Sequence, residues 1–229
     1  MRILTVSDKV EPVLYSPYIR ERVGHVDLIL ACGDLPYHYL EYIVGVLDVP
    51  LYYVHGNHDV EIAPLPPHRL ECNPAGITWA ENLHGRTVSY KGLLLAGLEG
   101  CRRYNSGRPF QYSEAEMRWQ VFWLSQALRW NRLRYGRHLD ILITHAPPRG
   151  IHDADDLPHQ GFESYLKLLR RFRPLLMIHG HQHIYSRREP TESVYQDTLV
   201  LNTYGYRLIE LAPRRDGKGW ELVSRSRER

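Results

Sequence analysis

Short apolar runs recur along the chain, each about the length of a buried strand and each closing on polar residues. RILTV (2–6) leads to Ser7 and Asp8, LILAC (28–32) to Gly33 and Asp34, and PLYYV (50–54) to the run His55, Gly56, Asn57, His58, Asp59. The second half repeats the pattern: DILIT (140–144) leads to His145, and LLMI (175–178) to HGHQH, three histidines in five positions. Helical spacing appears between these runs. The clearest helix is predicted from 113 to about 134, where Ser113 and Glu116 form a capping-box start and Met117, Val121, Leu124 and Leu128 make one apolar stripe. Trp119, Trp123 and Trp130 on the same segment are expected to pack. Shorter helices are predicted at 39–47 and 162–172, and strands at 198–201, 207–211 and 220–223.

Strands alternating with helices, then a strand-rich tail, predict a layered α/β fold with its active residues at strand ends. No repeat, linker or composition break divides the chain, so one domain over 1–229 is expected, with a frayed basic tail at 224–229.

Composition narrows the classes. The chain has 229 residues, 43% hydrophobic and 24% charged, with net charge +3 and a pI near 8.7, a mild bias well short of a nucleic-acid footprint. Cys32, Cys72 and Cys101 are odd in number and lack paired spacing, which points to a reducing, cytoplasmic setting. MRILTVSD reads as a first strand rather than a leader. No stretch approaches the roughly 18 apolar residues that span a bilayer, and no membrane partner is expected.

Carboxylate, amide and imidazole suit Zn, Fe, Mn or Ni. Asp8, Asp34, Asn57, His145, His181 and His183 each follow an apolar run, so parallel strands could deliver them to one rim. Singly, each has a plainer reading as a turn, a loop or a surface residue. Together, CGD, GNHD, THAPP and GHQH resemble the calcineurin-like metallophosphoesterases over most of the chain, from Asp8 to about Asn202.

That resemblance implies a four-layer α/β/β/α sandwich of two mixed sheets flanked by helices, and a dinuclear centre of two divalent ions (Mn, Fe, Zn or Ni). Asp34 would bridge them, Asn57, His145 and His181 would complete one site, and Asp8 and His183 would serve the other. His58 would face the phosphate, with Asp59 orienting it. A hydroxide held between two ions about 3.5–4 Å apart would attack a small phosphomonoester or phosphodiester. His179, on the strand side of Gly180, reads as structural.

One position departs from the pattern. The family's first motif is Asp-any-His, and here SDKVEP places Val10 where the histidine belongs. Either water or another side chain (Glu11, His25 or His38) fills the gap, or the first ion is weakly held, or the chain is a non-catalytic binding module. A nuclease is a further alternative, against which the modest charge speaks. GDLPYHY lacks the arginine of the protein-phosphatase branch, leaving His38 as a possible phosphate contact. The loops 99–112 and 149–161 could wall the site, with Arg102, Arg103 and Arg108 as anion contacts and Tyr104 and Tyr112 as stacking surfaces. Lys9 reads equally as a phosphate cation or a solvated side chain. Oligomeric state is left open.

Overall fold

The computed structural model describes residues 1–59, 80–186 and 188–226. Cys72 and residues 227–229 lie outside that set. Two six-stranded sheets face each other. The first has the order β14-β13-β1-β2-β3-β4, built from β1 (Arg2–Ser7), β2 (Leu28–Ala31), β3 (Leu51–Tyr53), β4 (Ala80–Asn82), β13 (Gly205–Pro213) and β14 (Trp220–Ser226). The second has the order β11-β12-β10-β9-β6-β5, from β5 (Thr87–Tyr90), β6 (Leu93–Leu98), β9 (Ile141–Thr144), β10 (Leu176–His179), β11 (Glu192–Tyr195) and β12 (Thr198–Asn202). A small parallel pair, β7 (Cys101–Arg102) and β8 (Gln111–Tyr112), stands apart.

Each sheet has four neighbouring parallel strands: β1 to β4 in the first, and β12, β10, β9 and β6 in the second. Strands buried on both faces are apolar at most positions, which is why the runs of β1, β2, β6, β9 and β10 do not alternate. In β1, Ile3 faces the core between the sheets, while Leu4 and Val6 face the core beneath the helices α1 (Ile19–Val23) and α2 (Tyr37–Leu47). Leu28, Leu30, Ile141, Ile143, Leu176 and Ile178 fill the layer between the sheets. On the far side, α3 (Glu114–Tyr135) and α4 (Glu163–Phe172) cover the second sheet through Met117, Leu124, Leu128, Tyr165 and Leu169. The result is the expected four-layer sandwich of two mixed sheets.

The helix starting at Ser113 is present with its capping box: the Glu116 N–H donates to Ser113 Oγ at 3.2 Å, and the Ser113 N–H donates to Glu116 Oε2 at 2.7 Å. The Ser113 N–H and hydroxyl, both donating to the Glu116 carboxylate, and then Arg103 hold that carboxyl down at about 2. Two expectations are corrected. Trp119, Trp123 and Trp130 are 62%, 64% and 71% exposed and lie outside the core, with Trp119 and Trp123 edge-on against Phe122; the inner face of α3 is already filled by the Met117 stripe. The tail is paired rather than frayed through Ser226, with Ser224, Arg225 and Ser226 opposite Glu210, Ile209 and Leu208 of β13. Its polar side chains sit on an edge strand, where one row of backbone partners suffices.

Ser113→Ala removes the cap and should destabilise the fold by about 1 kcal/mol, read from chemical denaturation.

Candidate metal centre

The parallel strands of both sheets run toward one rim, and the predicted donors follow their C-terminal ends. Asp8 follows β1, Asp34 follows β2, the Asn57 loop follows β3, His145 follows β9 and His181 follows β10. Three of these residues hold left-handed backbone: Asp8 (φ 61°), Asp34 (57°) and His181 (66°). Non-glycine residues occupy that region at an energetic cost, and such strain concentrates at functional sites. Two glycines let the segments approach. A Cβ on Gly180 would collide with Ser7 Oγ and Asp8 Oδ2, and one on Gly56 would collide with the Asp34 carboxylate.

The geometry is tightest around His145, which is fully buried. Its Nδ1 lies 2.7 Å from the Cys32 carbonyl, so Nδ1–H donates there and the Nε2 lone pair points the other way. Nε2 is 3.0 Å from Asn57 Oδ1, 3.3 Å from Asp34 Oδ2 and 3.1 Å from His181 Nδ1. His181 is pinned in the same manner, its Nε2 lying 2.8 Å from the Pro158 carbonyl. Both rings thus spend one N–H on a backbone carbonyl and turn their remaining nitrogens toward each other, beside a carboxylate and an amide oxygen. Four electron-pair donors converging in a buried space need a cation or a proton between them. Asp34, His145 and His181 could hold a metal ion on spacing alone, and Asn57 Oδ1 makes a fourth donor of the right type.

The electrostatics agree. Burial disfavours charge on His145, but the adjoining Asp34 and Asp8 carboxylates outweigh it and push the imidazole up to about 9. Burial also opposes ionisation of Asp34, yet His145 and the His58 N–H hold its carboxyl well below the usual range. His181 goes the other way, driven down to about 3 by burial and then by the neighbouring His145. A metal would take the place of the His145 proton.

The second group is looser. The His181 N–H donates to both Asp8 oxygens, at 3.0 and 2.9 Å, and the Ser7 hydroxyl also donates to Asp8. Burial lifts the Asp8 carboxyl to about 7. His183 Nε2 stands 3.9 Å from Asp8 Oδ1, with its ring tilted over Tyr204. Val10, where an imidazole was expected, is 41% exposed. Of the candidates to replace it, Glu11 is nearest along the chain, but its carboxylate is 2.7 Å from Lys9 Nζ. That contact also makes Lys9 an ion-pair partner rather than a purely solvated group. His25 pairs with Asp27 at 3.5 Å, and Asp27 binds the N–H of Arg2, so His25 sits at the opposite end of β1 from Asp8. His38 is exposed and packs edge-on against Tyr15.

His58 is exposed, and its N–H donates to Asp34 Oδ1 at 2.8 Å. Asp59 braces backbone instead of the His58 ring: its Oδ2 accepts from the N–H groups of Gly56 (2.8 Å) and Asp34 (3.2 Å). It thereby ties the β2 and β3 ends together. Arg102 and Arg103 pair with Glu114 (3.0 Å) and Glu116 (2.9 Å) at the start of α3. The loop 99–112 reaches the site through Tyr104, whose hydroxyl accepts from Asn57 Nδ2 at 3.1 Å. The loop 149–161 reaches it through the Pro158 carbonyl and His159, whose ring lies 5.2 Å from that of His181. The carbonyls of Cys32 and Pro158 leave no signal in a sequence, since any residue can supply one. His179 is buried and structural, as expected, with Nε2 3.0 Å from His152 Nδ1.

The fold is a two-sheet sandwich with carboxylate, amide and imidazole donors gathered at one rim. The chain belongs to the calcineurin-like phosphoesterase family, whose pattern matches residues 7–185. Among solved structures, TT1561 of Thermus thermophilus is similar over 97% of each chain, with 16% identity and a TM-score of 0.61, a likeness of fold. A novel archaeal phosphodiesterase aligns over 97% of this chain and 98% of its own, with 13% identity and a TM-score of 0.47. Vacuolar protein sorting 29 of Cryptosporidium parvum aligns over 99% and 98%, with 13% identity and a TM-score of 0.43. No match was found among curated proteins.

Two outcomes are expected. Gly180→Ala should push Asp8 and His181 apart and weaken Mn binding, measured by calorimetric titration. Adding Mn to metal-free protein at pH 8 should release a proton, because His145, raised to about 9, is protonated there and must lose that proton to become a ligand; affinity should rise with pH and level off above about 9.

Proposed function

We propose that the chain is a metal-dependent phosphoesterase acting on small phosphomonoesters or phosphodiesters. The observation that carries the reading is the pair of facing imidazole nitrogens, His145 Nε2 and His181 Nδ1, set 3.1 Å apart beside Asp34 and Asn57. In this reading, Asp34, Asn57, His145 and His181 hold one divalent ion, while Asp8 and His183, sharing Asp34, hold a second and weaker one. When bound, such ions lower the pKa of water and neutralise phosphoryl charge. The chain's own residues do the rest. Asp59 and Gly56 keep the Asn57 loop against Asp34, Tyr104 fixes the Asn57 amide so that its oxygen faces the cluster, and exposed His58 protonates the departing ester oxygen. Engagement of Arg102 and Arg103 by glutamates supports a small substrate over a nucleic-acid strand.

Val10 favours a second reading, a binding module on the same fold, because the first-motif imidazole is absent and Glu11 is held by Lys9. One experiment separates them. Protein purified without chelator, assayed with Mn on p-nitrophenyl phosphate and bis-p-nitrophenyl phosphate, should carry metal and turn over at least one ester; absence of turnover with every divalent ion would favour the binding module. His58→Ala should lower turnover by about a hundredfold or more while metal content holds, and an unchanged rate would remove His58 from the reaction.

A further inference from the structure

The exposed tryptophans of α3 have no role in the metal centre. They form a second apolar stripe on that helix. At 100° per residue, Trp119, Trp123 and Trp130 share one line, with Phe122 and Leu133 beside them. This line is opposite the buried Met117, Val121, Leu124 and Leu128. Phe122 is 47% and Leu133 77% exposed, so the stripe is open to solvent over about 21 Å from Trp119 to Leu133 at 1.5 Å per residue. An aromatic row of this length in water is a marker of an interaction surface.

Charge identifies the occupant. From Met117 to Gly136 the helix contains Arg118, Arg129, Arg132 and Arg134 and no aspartate or glutamate. All four arginines are exposed. Arg129 bonds Gln126, Arg132 bonds the Gly136 carbonyl and Arg134 packs over the Tyr135 ring, none of them a carboxylate. The only acids on α3, Glu114 and Glu116, are at its first turn and engaged by Arg102 and Arg103. On the same count Arg134 flanks the aromatic line on one side and Arg118 and Arg129 on the other, while Arg132 falls toward the sheet-facing side. A second copy docked across a two-fold axis would set arginine against arginine with no carboxylate from the helix to answer them.

We propose that the outer face of α3 docks on an anionic membrane surface, with the tryptophans in the headgroup boundary and the arginines on lipid phosphates. Tryptophan favours that boundary, arginine adds charge attraction, and a helix lying in the interface needs no spanning length. No helix among the described residues is long and apolar enough to cross a membrane. The sequence expectation of no membrane partner rested on that spanning length alone. The proposal is independent of catalysis.

The test is sedimentation of the full chain with vesicles of equal parts phosphatidylglycerol and phosphatidylcholine, against pure phosphatidylcholine. Binding to the anionic vesicles, loss of that binding at high salt, and quenching of tryptophan fluorescence by brominated lipid are expected. Trp119→Ser, Trp123→Ser and Trp130→Ser together should lower the bound fraction about tenfold or more, with metal binding unchanged. Should that variant misfold, Arg118→Gln with Arg129→Gln gives the same reading by weakening anionic binding alone. No binding, equal binding to neutral vesicles, or a chain dimer that the tryptophan variant abolishes would each overturn the proposal.

Discussion

Two histidine nitrogens face each other across 3.1 Å, each ring having already given its N–H to a backbone carbonyl. Left alone, such lone pairs repel, and burial removes the water that would separate them. The arrangement is tolerable only with positive charge between the rings, and Asp34 and Asn57 complete the demand for it. Much of the rim serves to keep those groups close. His145 is held by the first sheet through Cys32, and the His181 N–H is held by Asp8, so each ligand from the second sheet is oriented by a residue of the first. The gap between the sheets is therefore the site, and the core of Leu28, Leu30, Ile141, Ile143 and Ile178 sets its width.

The two halves of the centre are unequal. Around His145 the donors are buried, convergent and doubly braced. Around Asp8 the second imidazole, His183, is half exposed and 3.9 Å away, and the residue two positions beyond Asp8 is a valine in solvent. A carboxyl raised to about 7 by burial is a poor anion in the absence of metal, whereas Asp34 stays ionised. In the proposed reading the His145 pocket is therefore the tighter of the two.

Much of this was legible in the chain because strand ends leave a local mark, an apolar run stopped by a polar ligand type. Asp8, Asp34, Asn57, His145 and His181 carry that mark, and the capping box at Ser113 is equally local. What escaped is non-local. The carbonyls of Cys32 and Pro158 have no side-chain signature, and Asp59 reaches backbone amides whose positions only the fold defines. His25 looked eligible until the register of β1 put it at the far end of the sheet. The tryptophans of α3 satisfied a helical period, but period alone does not say which of two apolar stripes is buried; that is readable only once the sheet is in place.

The most direct measurement is anomalous diffraction at the Mn edge from crystals grown with Mn. The account predicts a peak bounded by Asp34 Oδ2, Asn57 Oδ1, His145 Nε2 and His181 Nδ1, stronger than any peak beside Asp8 and His183. A fully occupied Asp8 site with an empty His145 pocket, or no peak at this rim, would contradict it.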